Sequence, residues 1–174
     1  MHILLIFTFD YSLEMWEKNK ILERELNYFK FIDKNYEDIK LTILTYGDEG
    51  DLGLEGSLPN LKLIPAYSII KYNKNKFIRY FKSFILPFKL KKILKDVDVI
   101  KQFQLQGSWV SILLKYIIKK PLYIRTGYDM YRFSMYENKS LIKKKLYKYL
   151  TLLALKLSDV YSVSSASDRN FLNN

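Results

Sequence analysis

Six short apolar runs alternate along the chain with segments whose apolar residues recur at helical spacing, so strand and helix alternate from one end to the other. The runs are Ile3 to Phe9, Ile39 to Tyr46, Leu61 to Ile64, Val97 to Ile100, Leu122 to Ile124 and Asp159 to Val163. The first, Ile3 to Phe9, is near-continuously apolar up to Asp10, which is the pattern of a parallel strand covered on both faces. Ser12 is placed to cap a helix with Glu14 and Glu17 in its first turn and a stripe through Ile21, Leu22, Leu26, Phe29 and Ile32. Gly107 to Lys119 carries Trp109, Ile112, Leu113, Tyr116 and Ile117 on one face. A long helix starts in Lys139 to Lys148 and ends at Leu157, and Ser165 or Ser167 caps a last short one. Gly47 to Gly56 is an acidic, glycine-rich loop, and Pro59 and Pro65 bracket the third strand.

A helix between two buried strands makes a right-handed crossover, so these strands are expected to be parallel and in one sheet. The expected fold is α/β: a doubly wound, Rossmann-like, mostly parallel sheet in strand order 3-2-1-4-5-6, forming a single domain over residues 1–174. In that order the first and fourth strands are neighbours where the winding reverses. The loops at 9–12 and 102–107 then face each other across a crevice, with 126–129 beside them. Ligands of open α/β sheets bind at that edge.

The polar residues that break the apolar pattern gather there. Lys101, Gln102, Gln104 and Gln106 are expected after the fourth strand, and Arg125, Thr126, Tyr128 and Asp129 after the fifth. Glutamines offer donors and acceptors without a nucleophile, and an arginine holds a phosphate or carboxylate bidentately. Such a set suits sugar hydroxyls. The dinucleotide signature G-x-G-x-x-G would have to follow the first strand, where the chain reads FDYSLEMW, and there is no P-loop. Asp96-Val97-Asp98 spells D-x-D, but it precedes a strand and reads as a helix-to-strand turn; no metal site is expected.

Composition narrows the partners. The chain has no cysteine, which removes disulfides and thiolate metal sites, and its one histidine, His2, precedes the first strand, where a structural role is expected. No apolar run is long enough for a transmembrane helix. The formal net charge of +11 favours an anionic partner. Lys71 to Lys95 holds nine basic residues and no acidic one, interleaved with aromatics. On a helical projection Phe77, Phe81, Phe84, Ile85 and Phe88 share a face opposite Lys76, Arg79 and Lys82, and Pro87 must interrupt the helix. Three readings follow: a core-facing helix with solvated lysines, a membrane-surface helix with Lys74, Lys76, Arg79 and Lys82 toward anionic lipid, or, third, a nucleic-acid surface.

Three passages, FTFDYSLEMWEKNKILERELNYF, DVDVIKQFQLQGSWVSILLKYIIKKPLYIRTGYD and LSDVYSVSSASDRNFL, span nearly the whole chain. In their order and spacing the chain resembles the N-terminal half of the family 4 glycosyltransferases, retaining enzymes of the GT-B fold, and looks most like bacterial and archaeal members that build surface polysaccharides. Many members have two glycines after the first strand, where this chain has Ser12-Leu13-Glu14. Many also have a histidine before the glycine of an H-G-x-D passage, where this chain has Thr126. The resemblance implies an acceptor-side domain whose nucleotide-sugar half, with the family's paired glutamates, lies outside these residues. The intact enzyme would transfer a sugar from a nucleotide donor to a saccharide or polyprenyl-linked acceptor with retention and without a metal. This chain would carry no cofactor itself and, without a C-terminal half, no activity. Asp10, Tyr11, Ser12, Gln104, Gln106, Gly107, Arg125, Thr126, Gly127, Tyr128 and Asp129 would line the acceptor side; no catalytic residue is assigned. The expected location is cytoplasmic, peripheral at the inner face of the cell membrane. A non-catalytic remnant or membrane-surface partner subunit is the alternative, with nucleic-acid binding behind it.

Overall fold

A computed structural model describes residues 1–54 and 60–173. Six parallel strands form one sheet, β1 (His2–Ile6), β2 (Lys40–Thr45), β3 (Leu61–Pro65), β4 (Val99–Gln102), β5 (Leu122–Thr126) and β6 (Val160–Val163), in the order β3-β2-β1-β4-β5-β6. The doubly wound α/β class and the strand order are therefore those expected. Winding reverses between β1 and β4, whose register runs from Ile3 opposite Val99 to Ile6 opposite Gln102. Leu4, Ile6, Leu44, Ile100, Leu122 and Ile124 are fully or almost fully buried between the sheet and its helices. Pro59 and the end of the acidic loop, residues 55–56, lie outside the described residues. The rest of that loop contains a 3-10 helix, Glu49–Leu54.

Several elements differ from expectation. The single helix after β1 is two, α1 (Leu13–Lys18) and α2 (Leu22–Asn35), because Lys20 adopts a left-handed φ of 56° between them. Ser12 does cap α1, its hydroxyl accepting from Met15 N–H at 3.1 Å. A second acceptor comes from the acidic loop: buried Asp51 takes the Leu13 N–H at 3.1 Å. That carboxylate sits so close to Gly47 that a Cβ there would lie 2.0 Å from its Oδ2. Strands β4 and β5 run further than expected, so Lys101, Gln102, Arg125 and Thr126 are strand residues rather than loop residues. Pairing accounts for this: Leu5 and Ile6 of β1 extend the ladder to Lys101 and Gln102, and Ser162 and Val163 of β6 extend it to Arg125 and Thr126.

After β3 come α3 (Ala66–Ile69), α4 (Lys76–Ser83) and α5 (Leu86–Leu90). Pro87 sits in the first turn of α5, where its missing N–H costs nothing, and the chain breaks just before it as expected. The orientation of α4 is the reverse of a core-facing helix. Phe77 is 77% exposed, Phe81 68% and Phe88 64%, whereas Arg79 is turned inward, its side chain 13% exposed. Arg79 is thus not a lipid-facing cation, in contrast to exposed Lys74 and Lys76; Lys82, half-buried, donates to the Lys71 carbonyl at 3.0 Å.

The remaining helices are α6 (Ser108–Ile118), α7 (Met130–Tyr136), α8 (Leu141–Leu157) and α9 (Ala166–Leu172). Helix α7 lacks an apolar stripe in the sequence and was not expected. Ser165, not Ser167, caps α9, accepting from Asp168 N–H at 3.0 Å. His2 is structural, its ring 2.7 Å from the Thr42 hydroxyl. Asp98 of the D-x-D spelling accepts the His2 N–H at 2.7 Å, a turn-to-strand role. No helix among the described residues is long and apolar enough to cross a membrane.

Candidate functional site

The winding reversal between β1 and β4 leaves the C-terminal ends of those strands without a helix above them, and a cleft of about 230 Å³ opens there. Its wall is made by Thr8, Tyr11, Trp16, Ile21, Arg24, Phe103, Gln104, Gln106, Tyr128 and Met130. Four expected residues, Tyr11, Gln104, Gln106 and Tyr128, are brought together in it. The other wall residues are ones that sequence reasoning assigned to helix faces or passed over.

The floor is aromatic. Trp16 and Phe103 line it with ring centroids 5.2 Å apart, and fully buried Phe7 stacks on Trp16 at 4.0 Å from the core side. Ile21 and Arg24 reach the cleft because the break at Lys20 starts α2 beside it. The polar groups are fixed by the backbone around them. Gln104 Oε1 accepts the Gly127 N–H at 3.1 Å, which ties the β4 loop to the β5 loop. The Gln106 carbonyl accepts the Phe9 N–H at 3.1 Å, which ties it to the β1 loop. Tyr11 spans to β2, its carbonyl accepting from Tyr46 N–H at 2.8 Å. Burial raises the Tyr128 phenol above its ordinary pKa, with the nearby Tyr11 phenol adding to the rise, so the Tyr128 hydroxyl keeps its proton at neutral pH.

The other expected residues hold the loops in shape. Gly107 has φ of 100° at the start of α6; a Cβ there would meet Phe9 N at 3.1 Å and Phe7 O at 3.4 Å. Thr126 is fully buried and reaches the Ser162 carbonyl at 3.4 Å. Asp129, 1% exposed, caps α7 by accepting from Arg132 N–H at 2.6 Å; burial, the largest influence, raises its pKa, and Asp168 raises it further. Ser12 caps α1, and the Gly127 carbonyl accepts from Ser164 Oγ. Arg125 is exposed and shares a sheet face with Lys101, away from the cleft wall. Burial lowers the Lys101 pKa and the Arg125 charge adds to it, while the ammonium lies 6.0 Å from the Tyr28 ring and 5.9 Å from that of Tyr123.

Asp10 faces away from the cleft. With φ of 67°, it turns its carboxylate toward α4, where Arg79 donates from Nε at 2.9 Å and from Nη2 at 2.6 Å, and the Tyr67 hydroxyl donates at 2.5 Å. Burial pushes this carboxyl up, but the Arg79 and Tyr67 hydrogen bonds and the Arg79 charge outweigh it, and its pKa is lowered. Arg79 also donates to the Asn73 and Lys74 carbonyls and stacks over Tyr72. The loop that presents Tyr11 is therefore locked to the segment that exposes Phe77 and Phe81.

The cleft can grip a ligand by ring stacking and hydrogen bonds, and Arg24, whose guanidinium pairs with Glu25 at 2.7 Å, stands on its rim. Among the described residues its wall presents aromatic rings, side-chain amides, phenols and a guanidinium, groups that bind and orient a ligand. No family model matches the chain, and no curated protein matches it.

Proposed function

We propose that this domain is the acceptor side of a retaining glycosyltransferase, binding a saccharide or a lipid-linked saccharide for sugar transfer from a nucleotide-sugar held by a second, C-terminal domain. The observation that carries the reading is the cleft at the winding reversal, with aromatic rings on its floor and amides and phenols on its sides. Sugar rings present apolar faces and hydroxyl edges, and both are matched. The role of the chain is to desolvate the acceptor against Trp16 and Phe103 and to orient its hydroxyls through Tyr11, Gln104 and Tyr128. The proton transfers and the donor contacts belong to the second domain. The resemblance in sequence order and the strand order support this half of a GT-B architecture.

The test is twofold. Soluble acceptor saccharides should change Trp16 emission in the 174-residue chain, and Tyr11→Ala or Gln104→Ala should weaken that binding about tenfold, the loss of one or two buried hydrogen bonds. The same chain should release no nucleotide from UDP- or GDP-sugars. Turnover by the chain alone, or saccharide binding unchanged by both substitutions, overturns the reading.

The same enzyme would work at an anionic membrane surface, at the inner face of the cell membrane if its acceptor is carried on a polyprenyl phosphate. The outward aromatic face of α4 and α5 favours this over nucleic-acid binding. Phe77, Phe81, Ile85 and Phe88 would enter the headgroup boundary while Lys74 and Lys76 meet lipid phosphates. Phosphatidylglycerol vesicles at low salt should bind the protein more tightly than neutral vesicles. Phe77→Ser with Phe81→Ser should abolish most of that preference without lowering thermal stability. Equal binding to both vesicle types, or tighter binding to RNA than to vesicles, removes the membrane from the reading.

A further inference from the structure

Helix α8 packs on α6, α7 and β6 but leaves much of its apolar surface uncovered. Of its residues Leu141 to Leu157 only Thr151 and Ala154 are buried. The opposite face carries Ile142, Leu146, Tyr149 and Leu153, spaced i, i+4, i+7 and i+11, so they form one stripe along the helix. Their exposures are 81%, 53%, 65% and 49%, and Leu141 beside them is 75% exposed. Singly exposed apolar residues need no explanation, but a continuous stripe of this length marks a surface with an occupant.

Charge decides which occupant. The helix contains Lys143, Lys144, Lys145, Lys148 and Lys156 and no carboxylate. A second copy laid on it would bring two lysine sets together with no acid between them, a contact in which desolvation and repulsion both oppose association. An anionic bilayer surface satisfies both features at once. Apolar side chains enter the acyl boundary, and lysine stems lie along it with their ammonium groups at the headgroup phosphates.

We infer that α8 lies in the plane of an anionic membrane as a second lipid-contacting element, with Ile142, Leu146, Tyr149 and Leu153 inserted. This rests on the membrane-surface reading above and extends it beyond α4 and α5. Helices α5, α6 and α8 pack side by side in one layer, so the two contact lines are separated by one helix, roughly 16–20 Å. Two separate lines fix the rotation of the domain on the membrane, which one helix alone leaves free.

The chain has no cysteine, so Leu146→Cys can be labelled cleanly with an environment-sensitive fluorophore. Tyr36→Cys, at the end of α2 and 52% exposed, is the control on the opposite side of the sheet. With phosphatidylglycerol vesicles the label at 146 should shift to the blue and be quenched by lipid-borne quenchers, while the label at 36 stays aqueous. The triple variant Ile142→Gln, Leu146→Gln, Tyr149→Gln should retain its circular dichroism and lose vesicle partitioning at least about tenfold. Vesicle-bound protein whose label at 146 remains aqueous, or whose partitioning ignores the triple substitution, refutes the role of α8 and leaves the α4–α5 reading standing. Absence of wild-type binding to anionic vesicles refutes both. A lipid-free dimer that shields the label at 146 refutes the inference in favour of self-association.

Discussion

The Asp10–Arg79 pair shows how a single residue can carry both fold and site. Both side chains are largely removed from water, at 15% and 13% exposure, and they meet in bidentate geometry. Removing either partner leaves the other's charge partly buried, so Asp10→Asn or Arg79→Ala should cost about 1–3 kcal/mol in urea unfolding at pH 7. The folded pKa of Asp10 is lowered, so its contribution is complete above the unfolded carboxylate value of about 4 and is lost as pH falls through the folded value. The difference between the Asp10→Asn variant and wild type should therefore begin to shrink below about pH 4 and vanish only once pH has fallen through the lowered folded value. Asp129 has the opposite sign. Its folded pKa is raised, so its charge subtracts stability above the unfolded pKa, and stability is regained as pH falls through the folded value. Asp129→Asn keeps a cap acceptor and removes the charge, and should melt no earlier than wild type at pH 7. Asp129→Ala also loses the cap and should be less stable than Asp129→Asn by ~1 kcal/mol. At Gly107, alanine meets both the left-handed φ of 100° and the Phe9 nitrogen. A loss of about 1–3 kcal/mol in chemical unfolding is expected, with weaker saccharide binding as the β1 and β4 loops separate.

At the level of elements, the sequence told which segments are strands and which are helices more reliably than where they end or what they face. The parallel strands were legible because helical stretches separate short apolar runs, of which Ile3 to Phe9 is apolar on both faces. Their ends were not, because a ladder continues wherever a neighbour offers hydrogen bonds, and this carried β4 through Lys101 and Gln102 despite their polarity. The break between α1 and α2 left no glycine or proline as a signal; it rests on a lysine in a conformation that lysine rarely adopts. Of the cleft, Tyr11, Gln104, Gln106 and Tyr128 were legible from their place after strands, while Trp16 and Ile21 looked like ordinary helix interior. For α4, periodicity revealed an aromatic stripe but carries no information on whether protein or another phase covers it. Helix ends offer a direct test. Lys119, at the C-terminal cap of α6, has φ of 55°, where glycine is unstrained. Lys119→Gly should raise stability by up to about 1 kcal/mol, read as a higher urea midpoint with unchanged slope.

At the scale of the whole molecule, charge and exposed apolar surface act together. With a net charge of +11, the protein should be drawn to anionic vesicles over distances set by ionic strength, so adding salt weakens capture. If Phe77, Phe81 and the α8 stripe insert as proposed, their share of the binding is insensitive to that screening. Sedimentation with phosphatidylglycerol vesicles should therefore fall between low and ~0.5 M salt and level off above zero, whereas purely electrostatic attachment falls to zero. The winding of the sheet also has a consequence in time. The first strand made, β1, is central, and one of its two neighbours is β4, almost a hundred positions later in the chain. At ~5–20 residues per second, the ribosome needs roughly 3 to 11 s to go from the end of β2 to the end of β4. Throughout that interval the Ile3–Ile6 edge stands open, apolar and unpaired, a template for any other nascent strand. Chains interrupted before Gln102 should therefore aggregate, and synonymous codons that slow synthesis between β2 and β4 should lower the soluble yield of a protein whose amino-acid sequence has not changed.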